Sequence, residues 1–191
     1  MTKLLGRMAL ALALAEAGGC AYEVGGRAEV AAPQRLTQVR RVAVARFGYA
    51  HDWTGQFRDI YRRANVLPPP GDKVDNLDRT FLLEDALAAR GYEALPWPGG
   101  EEEPAEPPSA ALRERLQGLG AQALLLAQGG SACGSLERCS ARVSLSLWEA
   151  GSGALLWRGE GEAATLLAQG DEMKAAVEEA LAGLPPGPGG R

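Results

Sequence analysis

Three cysteines, one histidine and a run of glutamates are the residues of this 191-residue chain whose chemistry extends to covalent bonds, proton transfer or metal binding. Cys133 and Cys139 stand in GGSACGSLERCSA with five residues between them. In an oxidising compartment that spacing favours a disulfide, and so short a closed loop stabilises by roughly 2 to 2.5 kcal/mol in the chain-entropy account. A structural zinc site needs four ligands, and a single histidine with no second cysteine pair leaves it incomplete. Glu101, Glu102, Glu103 and Glu106 crowd the loop PGGEEEPAEPP, which is expected to project into solvent, and nothing in the segment holds their carboxylates in a coordination geometry. No metal is therefore expected. His51 is the one imidazole that could serve as a base. No Gly-x-Ser-x-Gly turn presents a nucleophile to it, and its neighbour Asp52 cannot orient it merely by adjacency, so it reads as a polar loop histidine. A Gly-rich phosphate loop is likewise missing between the first strand pattern and the next helix. The residues point to no enzyme, no catalytic group and no cofactor.

The third cysteine has a different setting. Met1–Gly19 carries Lys3 and Arg7, then the apolar run Met8–Ala15, then Ala17, Gly18 and Gly19 before Cys20. That is the charged, apolar, small-residue order of a secretory signal, with an apolar run too short to span a bilayer. Its removal takes away two cations and one anion, so a net charge of −4 becomes −5. Net acidity without a basic patch argues against nucleic acid as a partner.

The elements that would position these residues follow from periodicity. Residues 20–38 are polar and rich in Gly and Ala, as in a tether. Val39–Phe47, apolar on both faces, reads as a central strand. The connection Gly48–Asp75 holds Trp53, Phe57 and Tyr61, which either cover a sheet edge or form a partner-binding patch. Asn76–Arg90 has the apolar face Leu82, Leu83, Ala86 and Leu87, caps among Asp75, Asn76 and Asp78, and Gly91 as its stop. Tyr92–Trp97 is the next strand, Ser109 caps a short helix with Leu112, Leu116 and Leu119, and Ala121–Gln128 is a buried third strand. Val143, Leu145 and Leu147 alternate with Ser144, Ser146 and Trp148 in the first arm of a hairpin expected to close the sheet, with its turn at Glu149–Gly153 and its return arm at Ala154–Arg158. Asp171 caps a last helix carrying Met173, Val177, Ala180 and Leu181, and residues 184–191 are expected to be a disordered tail. The expected fold is α/β, with β-α-β-α-β-β-β-α order, helices packed on a mixed sheet of about five strands, and residues 39–183 as a single domain.

Ala17-Gly18-Gly19-Cys20 resembles the lipobox of bacterial lipoproteins, which implies that Cys20 becomes the lipidated first residue; Ala21 after it implies outer-membrane placement facing the periplasm. RRVAVARF, LEDALAARGYEALP, GAQALLLAQ and SLWEAGSGALLWRGEGE together resemble bacterial envelope lipoproteins with the fold of the TolB N-terminal domain, such as the DUF799 group. Related lipoproteins act in curli and exopolysaccharide secretion and in penicillin-binding-protein activation. The resemblance implies a non-enzymatic accessory protein, held to the membrane by a lipid anchor, that binds other envelope proteins in secretion, transport or wall assembly, with self-association open. The alternative is a periplasmic small-ligand or glycan-binding domain using the aromatics of residues 48–75.

Overall fold

A computed structural model describes residues 22–52, 76–100, 105–135, 138–165 and 171–189. Within them the chain forms one mixed sheet. In chain order the elements are β1 (Tyr22–Val30), α1 (Pro33–Leu36), β2 (Arg41–Val44), β3 (Gly48–Asp52), β4 (Asn76–Asp78), α2 (Thr80–Ala89), β5 (Glu93–Leu95), α3 (Ala110–Gly118), β6 (Ala123–Ser135), β7 (Arg138–Glu149), β8 (Leu155–Thr165) and α4 (Glu172–Leu181). The main path runs β1-β8-β7-β6-β2-β5, with β3 beside β6 and β4 beside β3. Strand β2 is parallel to both β5 and β6, whereas β6, β7, β8 and β1 run antiparallel. The α/β class and mixed sheet are as expected. Among the described residues the sheet has eight strands rather than about five.

Two clusters show how the sheet is covered. Val42, Val44, Ala123, Leu125, Val143, Leu145, Leu147 and Trp157 face α2 and α4. Ala43, Ala45, Leu124 and Leu126 face α3 through Leu112 and Leu116. Strand β2 is thus buried on both sides after Arg41, the reason Val42, Ala43 and Val44 are all apolar. Helix α4 lies directly on β8 because Gly159 and Gly161 leave room for its backbone: a Cβ at Gly161 would come within 2.1 Å of the Ala176 carbonyl oxygen.

Local signals set several boundaries. Ser109 caps α3 by accepting from the Leu112 N–H at 3.2 Å, and Asp171 caps α4 by accepting from the Lys174 N–H at 3.0 Å. Helix α2 starts at Thr80, not Asn76, because Asn76–Asp78 pairs with Gly48–Ala50 as β4. The Asp78 carboxylate still serves the helix start by accepting from the Thr80 N–H at 3.1 Å and the Thr80 hydroxyl at 2.8 Å. Gly91 then takes φ +85°, a conformation that ends the helix at little cost for glycine.

Three expectations are corrected. Residues 22–38 are not a tether: Tyr22–Val30 pairs antiparallel with the whole of β8, and Leu36 is buried. Tyr22, Val24, Ala28 and Val30 alternate with Glu23, Arg27 and Glu29, but two glycines interrupt the pattern, and its partner lies more than a hundred residues away in sequence. The hairpin does not close the sheet, since β7 lies between β6 and β8, and among the described residues β1 is an edge beyond them. Residues 184–189 pack against the α2–β5 turn: Leu184 and Gly187 are buried, Gly187 N–H donates to the Arg90 carbonyl at 2.8 Å, and the Tyr92 hydroxyl donates to the Pro185 carbonyl at 2.7 Å.

The hairpin also differs in detail. Leu147 opposes Trp157 and Trp148 opposes Leu155, leaving Leu156 as a bulge. Leu156 and Trp157 can therefore both be fully buried in the same cluster, where strict alternation separates them. Of the turn glycines Gly153 takes positive φ, at +72°. Trp148 packs on the α3 side of the sheet instead.

Candidate interaction surface

Helix α3 covers only the β2, β5 and β6 side of its face of the sheet, and the rest of that face, across β7, β8 and β1, carries charge. Registers place Ser144 opposite Glu160, Arg142 opposite Glu162, and Glu160 opposite Arg27. These are side chains of alternate residues, so they share the face that Val143, Leu145 and Trp157 do not. Arg27 grips Glu160 with two hydrogen bonds, Nε to Oε2 at 2.8 Å and Nη2 to Oε1 at 2.9 Å. That fork holds the Glu160 carboxyl below the ordinary carboxylate range and raises the guanidinium of Arg27. Arg142 pairs with Glu162 at 2.5 Å. The arrangement is a ladder of cross-strand ion pairs on an open surface.

The border of this ladder is built by the segment before α3. Glu106 reaches over β7 to accept from the Ser146 hydroxyl at 2.6 Å, and its other oxygen lies 3.7 Å from Arg158. Ser146 in turn accepts from the Trp148 indole N–H at 2.9 Å. One of the four glutamates expected only to project into solvent thus ties its loop to the sheet. The hydrogen bond satisfies Ser146, which is buried.

At the far end of the same strands Cys133 and Cys139 are opposite one another on β6 and β7 and form a disulfide. Thr165 clamps it to β8, its hydroxyl accepting from the Cys139 N–H and donating to the Cys139 carbonyl, both at 3.3 Å. The small residues Gly130, Ala132, Ser140 and Ala164, with Arg142, Glu162 and Glu23, line a shallow depression beside it.

The remaining residues singled out by sequence fall elsewhere. Cys20, Trp53, Phe57, Tyr61 and Glu101–Glu103 lie outside the described residues. His51 stands on β3 at the register position opposite Ser131, and its side chain is not among those described. Tyr49, from the same connection, is part of the core beside Phe47, ring centroids 5.6 Å apart, and burial pushes its hydroxyl up. Among the described residues no cluster of three metal-ligating side chains occurs, and no helix is long and apolar enough to cross a membrane.

Comparison with known proteins adds the following. No protein-family model and no curated protein matches the chain. A PelC variant dodecamer from Paraburkholderia phytofirmans is similar at 15% identity, over 87% of this chain and 99% of that one, with a TM-score of 0.46. A second PelC dodecamer structure from that organism gives 13% identity, 90% and 100% coverage and a TM-score of 0.43. The LpoB C-terminal domain from Salmonella enterica gives 15% identity, 64% and 81% coverage and a TM-score of 0.26. The ladder's residues were each visible in the sequence, but their grouping was not. Arg27 and Glu160 are 133 positions apart, and only the β1–β8 register joins them.

Proposed function

We propose that this chain is a lipid-anchored, non-enzymatic accessory protein of the bacterial envelope that works by binding other envelope proteins in secretion, transport or wall assembly. The observation that carries the reading is the face of β7, β8 and β1 that no described helix covers, where Arg27, Arg142, Arg158, Glu160 and Glu162 stand on paired strands. A broad charged face on paired strands provides orientation and specificity towards a protein partner. Two further features support the setting. The disulfide suits an oxidising compartment. The small residues before Cys20 suit lipidation at a position two residues before the first strand, which would hold the domain against the membrane surface.

The anchor is tested by expressing the full chain and its Cys20→Ala variant, then measuring membrane fractionation and intact mass. Loss of acyl mass and release to the soluble fraction are expected for the variant. Unchanged mass and fractionation would overturn the lipid anchor.

A further inference from the structure

Strand β1 is an edge nine residues long, and among the described residues no strand lies along its outer side. Natural edges are ordinarily short, bulged, or guarded by proline or lysine. This one contains neither residue, and Val24 and Val30 are 54% and 40% exposed. Its outward hydrogen-bonding groups follow from its pairing with β8. Ala31 N–H donates to the Leu156 carbonyl at 2.9 Å, continuing the β1–β8 register. In an antiparallel ladder alternate residues direct their backbone groups to the same neighbour. Glu23, Gly25, Arg27 and Glu29 therefore point theirs towards β8, and Tyr22, Val24, Gly26, Ala28 and Val30 point theirs outwards.

We infer that β1 pairs antiparallel with β1 of a second copy of this chain, about a two-fold axis at Gly25, joining the two sheets edge to edge. The backbone pattern and the charges agree on that register. Centring at Gly25 sets Val24 opposite the other copy's Gly26 and Tyr22 opposite its Ala28, so outward groups meet outward groups and about eight hydrogen bonds can form. It also sets Glu23 opposite Arg27, twice, on the face that already carries the Arg27–Glu160 pair. Centring at Gly26 instead opposes Glu23 to Glu29, and centring at Arg27 opposes that guanidinium to itself. Like charges directly across a sheet are unfavourable; centring at Ala28 also opposes unlike charges, Arg27 and Glu29, but over a shorter overlap with about six hydrogen bonds, so the Gly25 register joins unlike charges to the longer pairing. The contact is isologous and closes at two copies. It does not depend on where the protein resides.

Gly25 makes the register directly testable, because a Cβ there meets nothing within 4 Å and the paired Cα atoms of two copies would lie about 4.5 to 5.5 Å apart, within disulfide reach. The full chain is examined by sedimentation, and Gly25→Cys and Glu29→Cys variants by non-reducing electrophoresis after mild oxidation. A dimer at micromolar concentration is expected, with a reductant-sensitive covalent dimer at least tenfold more abundant for Gly25→Cys than for Glu29→Cys. Val24→Pro removes an outward N–H without touching the β8 ladder, and Glu23→Lys opposes cations across the axis. Each should yield monomer while circular dichroism reports the parent fold. A monomeric parent chain, equal crosslinking of the two cysteine variants, or an oligomer that survives Val24→Pro in a folded protein would overturn the inference.

Discussion

Gly161→Ala probes the contact on which the helix-on-sheet packing depends. Helix α4 crosses β8 over this glycine, and an added Cβ would stand 2.1 Å from the Ala176 carbonyl oxygen and 2.5 Å from the Ala180 nitrogen, both backbone atoms that no rotamer change can move. Restoring ordinary contact at 3.4 Å requires the helix to withdraw by about 1.3 Å. A gap of 0.5 to 1 Å already forfeits roughly a quarter to a half of a contact's dispersion energy. That loss would fall on Met173, Ala176, Val177, Ala180 and Leu181, all fully buried under α4. Overpacking of this kind costs about 1 to 3 kcal/mol, offset by about 0.4 to 1 kcal/mol from the lower freedom of an unfolded alanine. From the midpoints of these ranges the net loss is about 1.3 kcal/mol, which corresponds to a melting temperature lower by about 3 to 5 °C in a domain of this size. Gly118→Ala is the control, since no atom lies within 4 Å of its added Cβ. It should stabilise by about 0.4 to 1 kcal/mol. Thermal and urea unfolding followed by circular dichroism measure both. If Gly161→Ala melts at or above the parent temperature, the close approach of α4 to β8 is not what holds the two layers together.

Two other perturbations test the capping and the disulfide. Hydrogen bonds from Thr80, with Arg46 nearby, hold the Asp78 carboxyl below its ordinary value of 3.8. A depressed carboxylate contributes stability that is complete above the unfolded value and disappears as pH falls through the folded one. Asp78→Asn should therefore melt below the parent chain at pH 7, by an amount typical of a weakened helix cap, about 0.5 to 2 kcal/mol. The difference should narrow as the pH is lowered below 3.8, as pH-dependent urea unfolding will report. A paired Cys133→Ser and Cys139→Ser variant should lose about 2 kcal/mol. Reductant should destabilise the parent chain towards the variant and leave the variant unchanged, read by the same urea titration with and without a phosphine.

How far the fold was legible depended on the range of each signal. Periodicity and caps reported α3, α4, β2 and the apolar side of β7 because each is decided within a few residues: Ser109 and Asp171 sit next to the amides they cap, and Val143, Leu145 and Leu147 alternate on their own strand. β1 was missed although Tyr22, Val24, Ala28 and Val30 alternate with Glu23, Arg27 and Glu29, because Gly25-Gly26 interrupts both sides at its centre. The start of α2 moved because Asn76–Asp78 found a strand partner in β3. The bulge at Leu156 overrode alternation because two side chains could reach the same core. Glu106 looked like one more solvated glutamate until Ser146 and Arg158 were placed beneath it.

By itself, the sequence determined the α/β class, most helix ends, the spacing of the two paired cysteines and the residues before Cys20 that carry the anchoring argument. All of these rest on interactions between near neighbours in the chain. The tertiary structure alone decided that β1 is the sheet's edge, that residues 184–189 close over the α2–β5 turn, and that Arg27, Arg142, Arg158, Glu160 and Glu162 form one face. A strand's pattern states which of its side chains share a side. Which strand lies beside it, and in what register, is set by backbone pairing between segments far apart in sequence, and no local pattern carries that information.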